Sequence, residues 1–446
     1  MNERISLPKE VRGIIEALEA KGHEAYAVGG AVRDLLLGLT PGDFDVTTSA
    51  LPEEVKAVFP RTIDTGIAHG TVTVMKHGVG YEVTTYRIDG KYNDARHPEA
   101  VEFTRSLRED LRRRDFTVNA MAYNDRTGLV DLFGGREDLE QGVIRAVGVP
   151  EERFREDALR IMRCVRFAAQ LNFTIEEETL AAAAELSGNL KMISRERIRE
   201  EFLKILLSDH PEQLLTLYRI GGFAGWYEPD RGCTVDACSA KDNEKVPAAW
   251  LDRTICVLRL LPKDRILRLS GFLADAAWNS TIPDTPERDA ETIAGLSRDV
   301  RGAIAGQMLS ELKFDNETRD AVTELVSCRD LPLTLSKTEV RKLIAKIGFV
   351  QFDRLTRLLE AELLADGAAL DALQATEKYR GEIEAAGDCV RMKDMKLGGK
   401  DLIRMGMKPG IAMGNLLEQL FSEVLEQPEM NTEEQLQLRA RELLQG

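Results

Sequence analysis

A chain of 446 residues, 43% hydrophobic and 30% charged, has room for about three domains at roughly 150 residues each and the balance of an ordered globular protein. That excludes a single small module and a disordered or collagenous chain, and a net charge of -15 excludes a uniformly basic coat for nucleic acid. No apolar run approaches the ~18 to 20 residues that span a bilayer, and MNERISLPKEV lacks a hydrophobic signal core, so a cytoplasmic protein without membrane contact is expected.

In chain order, Val11, Ile14, Ile15 and Leu18 recur at helical spacing and predict an amphipathic helix. Residues 25–28 read as a short strand ending at Gly29-Gly30, and 31–37 as a helix. Pro41-Gly42 marks a turn, 44–47 a strand, 52–59 a helix, 71–76 and 81–87 alternating strands, and 116–123 a further strand. The first 150 residues therefore predict a mixed α/β head. From Glu151 helical periodicity takes over, with helices expected over 151–170, 175–186, 194–207, 248–261, 316–326, 337–364 and 411–425. Residues 227–246, rich in Gly, Asp, Cys and Lys, read as a surface insertion. The six cysteines (Cys164, Cys233, Cys238, Cys256, Cys328, Cys389) are dispersed, and the C-x4-C pair Cys233/Cys238 has no second half, so reduced thiols are expected rather than disulfides or zinc.

Charge is unevenly distributed. Thr104 to Phe167 carries 13 arginines and no lysines against 12 acids, and Arg391 to Lys408 six basic residues against two acids. Arginine offers a planar fork suited to phosphates and base edges, so both segments are candidate polyanion contacts. Asp43 and Asp45, one residue apart in a strand-like segment, fall on one sheet face by the period of two and could share hard divalent cations; solvated turn acids would look the same. Gly29-Gly30 ends a strand before a helix carrying Arg33, an arrangement that lets a polyphosphate approach the backbone. Glu82 lies on a later strand, where it could join the aspartates and help deprotonate a hydroxyl.

These motifs resemble the class II tRNA nucleotidyltransferases and bacterial poly(A) polymerases of the polymerase β superfamily, most of all the bacterial CCA-adding type. The likeness runs through GGAVRDLLLG (29–38), DFDVTT (43–48), TGIAHGTVTV (65–74), EVTTYR (82–87), RRDFTVNAMAY (113–123), RFREDALRIMRCVRF (153–167) and, in the tail, GMKPGIAMGNLLEQLFSEVLEQP (406–428). It implies a polymerase-β-like α/β nucleotidyltransferase head over 1–150 followed by an all-α neck (151–212), body (213–330) and tail (331–446), the tail binding tRNA. It also implies that Asp43 and Asp45 bind two Mg2+ ions, that Glu82 is the third active-site carboxylate, and that Gly30, Arg33 and Arg114 hold the nucleotide.

By the same resemblance Asp157 and Arg160, three apart on the expected helix, read the incoming base, and Arg163 and Arg166 continue the nucleotide contacts. Cytosine and adenine each show an amino donor beside a ring-nitrogen acceptor, which a carboxylate beside a guanidinium complements; uracil and guanine do not. The expected reaction is template-independent addition of CCA to the tRNA 3′ end from CTP and ATP, the tRNA being gripped along its acceptor and T arms, with no protein partner implied. An A-adding enzyme or poly(A) polymerase shares the same head, and a noncatalytic RNA-binding relative is the reading from another class. The stretch between Arg87 and Asp110 resembles the family's flexible loop and so favours A addition, with a departure at Arg96-His97-Pro98. A His-Asp phosphohydrolase signature is missing, and no appended phosphatase is expected.

Overall fold

A computed structural model describes residues 5–89, 101–223, 226, 249–281, 298–329 and 335–445. The expectations for Arg96-His97-Pro98 and for 227–246, with Cys233 and Cys238, lie outside the described residues. The chain divides into two compact units, Met1–Ala248 with Glu311–Lys313, and Ala249–Ser310 with Phe314–Gly446.

In the first unit the strands are β1 (Ala25–Val28), β2 (Asp45–Thr48), β3 (Thr62–Gly66), β4 (Thr71–Lys76), β5 (Val79–Thr85), β6 (Arg87–Asp89), β7 (Val101–Phe103), β8 (Met121–Asn124) and β9 (Gly128–Asp131). Seven form one sheet in the order β3-β4-β5-β2-β1-β8-β9, in which β2 and β5 run parallel and every other neighbouring pair antiparallel. Ala27, Val46, Val83 and Val72 stand in register across four strands and are completely buried. Helices α1 (Lys9–Glu19) and α3 (Pro52–Val58) pack on these strands, α1 burying the Val11, Ile14, Ile15 and Leu18 stripe that the sequence predicts. Each buried valine is worth roughly 1.5–3 kcal/mol, so a one-residue slip of β2 or β5 would cost several kcal/mol and turn the polar residues inward. That apolar row sets the register of the opposite face, where Val28, Asp45, Glu82 and Thr73 form the adjoining row.

Three local expectations change. The strand expected over 116–123 begins only at Met121. Before it, Thr117–Asn119 turns as a 3-10 helix, because the Asp115 carboxylate accepts from the Phe116 amide at 2.9 Å and the Asn119 side chain at 3.2 Å, and Thr117 donates to Asp138 at 2.6 Å. β2 starts at Asp45, so Asp43 stands ahead of the strand and the period-two argument does not reach it. The single helix expected over 151–170 is two, α6 (Pro150–Glu156) and α7 (Leu159–Leu171), after the short helices α2 (Gly30–Leu36), α4 (Leu107–Arg112) and α5 (Gly135–Gln141). Asp157 is extended at the break, and its side chain accepts from the Leu159 amide at 3.0 Å, an alternative to the helical ladder.

Strand β10 (Val143–Ile144) pairs in parallel with β11 (Thr174–Ile175), and Phe116 packs edge-on against Phe167 of α7 at 5.7 Å, fastening the helical segment to the sheet. Helices α8 (Glu177–Leu186), α9 (Arg195–Leu206) and α10 (Gln213–Arg219) complete it, with α9 and α10 packed on α7.

The second unit is helical among its described residues. Helices Asn316–Cys328 and Lys337–Ala365 begin with side-chain caps from Asp315 and Ser336, and the longer one kinks at Gly348, whose φ of 79° is unhelical. Near the end, Leu397, Leu402, Leu416, Leu420, Val424 and Leu436 share a core. Among the described residues, Cys164, Cys256, Cys328 and Cys389 form no disulfide. Among the described residues no helix is long and apolar enough to cross a membrane.

Candidate active site

The site begins with strand register. Asp45 lies directly across from Glu82 in the parallel β2–β5 pair, and both are open to solvent on the face away from the valine row. Although its side chain can still be reached by solvent, the protein packed around it strips part of the water from the Asp45 carboxyl and pushes it above its ordinary range; Arg114 opposes this, while Asp43 and Glu82 add to it. Asp43, although outside the strand, is thus within electrostatic reach of the same group. Two residues on, Thr47 faces Thr84 in register, and the Thr84 hydroxyl meets that of Thr71 at 3.0 Å, so the floor beside the acids is a band of hydroxyls.

Beneath that floor lies a residue that sequence reasoning missed. Asp110 of α4 is completely buried and accepts from Thr47 Oγ1 at 2.8 Å, from Arg113 Nε at 2.9 Å and, more distantly, from the Arg87 amide at 3.4 Å; Arg114 Nη2 stands 3.9 Å away. Burial alone would raise its pKa, but Arg113 and Arg114 hold it below the usual carboxylate range. The available signal was an acid three and four residues before the Arg113-Arg114 pair, the spacing at which helical side chains meet. Arg114, whose own pKa is lowered by burial, points toward the Gly29 turn: a Cβ built on Gly29 would sit 2.9 Å from Arg114 Nη1. Gly29 has φ of 77°, so this turn needs glycine for its backbone and for the arginine's approach. Arg33 is buried, held by Asp34 at 2.7 Å and by Asn119 at 2.8 Å beneath Gly30.

The arginine row of α7 also meets the head. Arg160 is buried and donates to the Arg113 carbonyl at 2.8 Å and, within its own segment, to the Arg153 carbonyl at 3.0 Å and Glu156 at 2.5 Å. Arg163 grips the buried Asp115 through Nε at 2.8 Å and Nη2 at 2.5 Å, while Arg166 pairs with Glu201 of α9. Asp157 stands off the helix and is held by Arg197 of α9 at 2.7 Å, not by Arg160. The structure therefore brings Asp43, Asp45, Glu82, Arg114 and the Gly29-Gly30 turn together, fastens Arg160 and Arg163 to the Arg113-Arg114-Asp115 motif, and turns Arg166 toward α9. Arg197 had no signal in the sequence, since its partner is 40 residues away.

A mixed sheet with paired acids on one face, a glycine turn facing an arginine, and a helical segment docked by arginines marks a nucleotidyltransferase head. Residues 25–145 match the model described as poly A polymerase head domain, 172–222 that of the probable RNA and SrmB-binding site of polymerase A, and 286–439 that of tRNA nucleotidyltransferase domain 2, putative. The chain is 35% identical over 441 residues to the CCA-adding enzyme of Ligilactobacillus salivarius (strain UCC118), spanning 98% of this chain and 97% of that one, and it belongs to the CCA-adding enzymes, a family of tRNA nucleotidyltransferases. It is 55% identical over 213 residues to the CCA-adding enzyme of Lactiplantibacillus plantarum (strain ATCC BAA-793 / NCIMB 8826 / WCFS1), covering 47% of this chain and 52% of the relative. The Bacillus stearothermophilus CCA-adding enzyme, solved in complex with CTP, superposes with a TM-score of 0.72 at 30% identity over 98% of each chain.

Proposed function

We propose that this chain adds C, C and A stepwise to the 3′ end of tRNA from CTP and ATP without a nucleic-acid template. The observation that carries the reading is the Asp45–Glu82 register with Asp43 and Arg114 beside it. The donors there are all carboxylate oxygens, which suits a hard cation such as Mg2+, and the repulsion that Asp43 and Glu82 add to the desolvation of Asp45 is charge a cation would offset. Among the described residues no three ligating side chains close into a cage of their own, so Asp43 and Asp45 would hold two Mg2+ ions only with triphosphate oxygens completing the shell. When bound, the metals supply charge stabilisation to the attacking and leaving oxygens.

The rest falls to the chain. The Gly29-Gly30 turn, Arg33 and Arg114 place the triphosphate so that the tRNA 3′-hydroxyl attacks the α-phosphorus in line and pyrophosphate leaves, while Glu82 helps take the hydroxyl proton. Asp157 and Arg160 read the base by offering an acceptor beside a donor, with Arg163 and Arg166 bracing that reader. In this reading residues 1–150 are the head, 151–212 the neck, 213–330 the body and 331–446 the tail, whose basic stretch 391–408 meets the acceptor and T arms through phosphate contacts. A relative of the same family solved with CTP supports the nucleotide assignment.

The test offers tRNAs ending at the discriminator base, at C or at CC, with Mg2+ and each nucleotide singly or mixed. Stepwise C, C, A is expected. Extension of only CC-ended tRNA, long A tracts on varied RNA, or no product at all would each overturn the assignment.

A further inference from the structure

Asp157 is anchored more completely than a surface acid. Its Oδ1 accepts from the Leu159 amide at 3.0 Å and from Arg197 Nη1 at 3.4 Å, and its Oδ2 accepts from Arg197 Nη2 at 2.7 Å. An ionised carboxylate has about four lone-pair sites. Three are taken, and the one that remains lies on Oδ2. The Asp157 side chain is 17% exposed and that of Arg197 27%, so the pair can still be reached from outside. Arg160 makes none of these bonds; its donors go to the Arg153 and Arg113 carbonyls and to Glu156.

We infer that Arg197 is a positioning residue for nucleotide selection: its two-pronged grip turns the Asp157 carboxylate so that a single acceptor, on Oδ2, faces the nucleobase. This rests on the base-reading role proposed for Asp157. One directed acceptor suits the amino group shared by cytosine and adenine and leaves the ring carbonyl of uracil or guanine facing an acceptor. Without Arg197 the carboxylate keeps only the Leu159 amide, which holds one oxygen and lets the group turn about its terminal torsion and offer its other lone pairs through water, so it discriminates less by direction. Arg197 comes from α9, across the neck from the broken helix, and holds the carboxylate together with the Leu159 amide that the break leaves available.

The experiment measures kcat/KM for CTP and ATP against UTP and GTP on tRNAs ending at the discriminator base and at CC, using full-length Arg197→Met, Arg197→Lys and Asp157→Ala proteins, with melting temperature as a fold check. Arg155→Met, an exposed neck arginine, is the control and keeps the parent's ratio. Arg197→Met is expected to lower the ratio of correct to incorrect nucleotide by about 10- to 100-fold, and Arg197→Lys, which keeps the charge without the fork, to restore only part of it. Should Asp157→Ala lower the ratio while both Arg197 variants keep the parent's value, or lose turnover equally for all four nucleotides, the positioning role is overturned and base reading by Asp157 stands. Should Asp157→Ala itself keep the parent's ratio, the base-reading assignment fails first. If Arg197→Met does not fold, Arg197→Lys carries the comparison.

Discussion

Asp45 stands directly opposite Glu82 across the parallel β2–β5 pair, with its carboxyl raised by partial loss of hydration, by Asp43 and by Glu82 against the counter-pull of Arg114. Ionising Asp45 in the folded chain therefore works against lost hydration and against two neighbouring carboxylates, with Arg114 as the counter-charge.

Asp45→Asn follows from this. A carboxyl whose folded pKa is raised holds its proton more tightly in the folded state than in the unfolded, so its ionisation subtracts from stability as pH rises through the raised pKa. The variant should lower nucleotidyl transfer by more than about 100-fold yet melt, without added metal, at a higher temperature than the parent at neutral pH. Equal or lower melting of the variant would contradict the electrostatic account.

Gly29→Ala tests the arginine's approach. The added Cβ meets Arg114 Nη1 at 2.9 Å in a turn with φ of 77°. At φ 77° and ψ -138° an alanine is strained by roughly 1–3 kcal/mol, which should lower the melting temperature, and the displaced guanidinium should in addition raise KM for CTP and ATP; an unchanged KM would remove Arg114 from the nucleotide site. Nucleotide titration alongside calorimetry checks the pairing of effects.

Asp115→Asn removes the carboxylate by which Arg163 fastens α7 to the segment ahead of β8. The Arg163 side chain is 34% exposed and can be rehydrated, so the loss is set nearer that of a charged hydrogen bond, about 1.5–3 kcal/mol, than that of a fully buried pair. Although burial pushes the Asp115 carboxyl up, Arg163 and Asn119 hold it far below the usual range, so its stabilisation is complete above pH ~4 and is lost as pH falls toward the folded value. Denaturant midpoints of parent and variant should therefore lie well apart at pH 7 and converge in acid; a gap independent of pH would refute the assignment.

Lys400 and Lys408 are exposed within the basic stretch of the second unit. If that stretch meets tRNA phosphates, each charge reversal, Lys400→Glu or Lys408→Glu, should weaken tRNA binding and reduce the slope of log affinity against log salt by about one contact. Nucleotide affinity should stay unchanged. An unaltered salt slope would remove this face from the interface.

The chemistry of the head is written locally. Gly29-Gly30 before a helix, Asp43 and Asp45 after a turn, Glu82 on an alternating strand and the arginine-rich run to Phe167 are all short-range patterns, legible because backbone geometry and side-chain period act over a few residues. The amphipathic stripe of α1 and the helical character after Glu151 are legible for the same reason. What pairs with what is another matter. The Asp45–Glu82 register is chosen by the buried valine row on the opposite face, the Asp110 anchor by which arginines a closed core leaves beside it, and the partner of Asp157 by Arg197 reaching over from α9. Such partners are selected when distant segments exclude water together, a free energy summed over the whole packed unit and absent from any local window, so only the tertiary structure decides them.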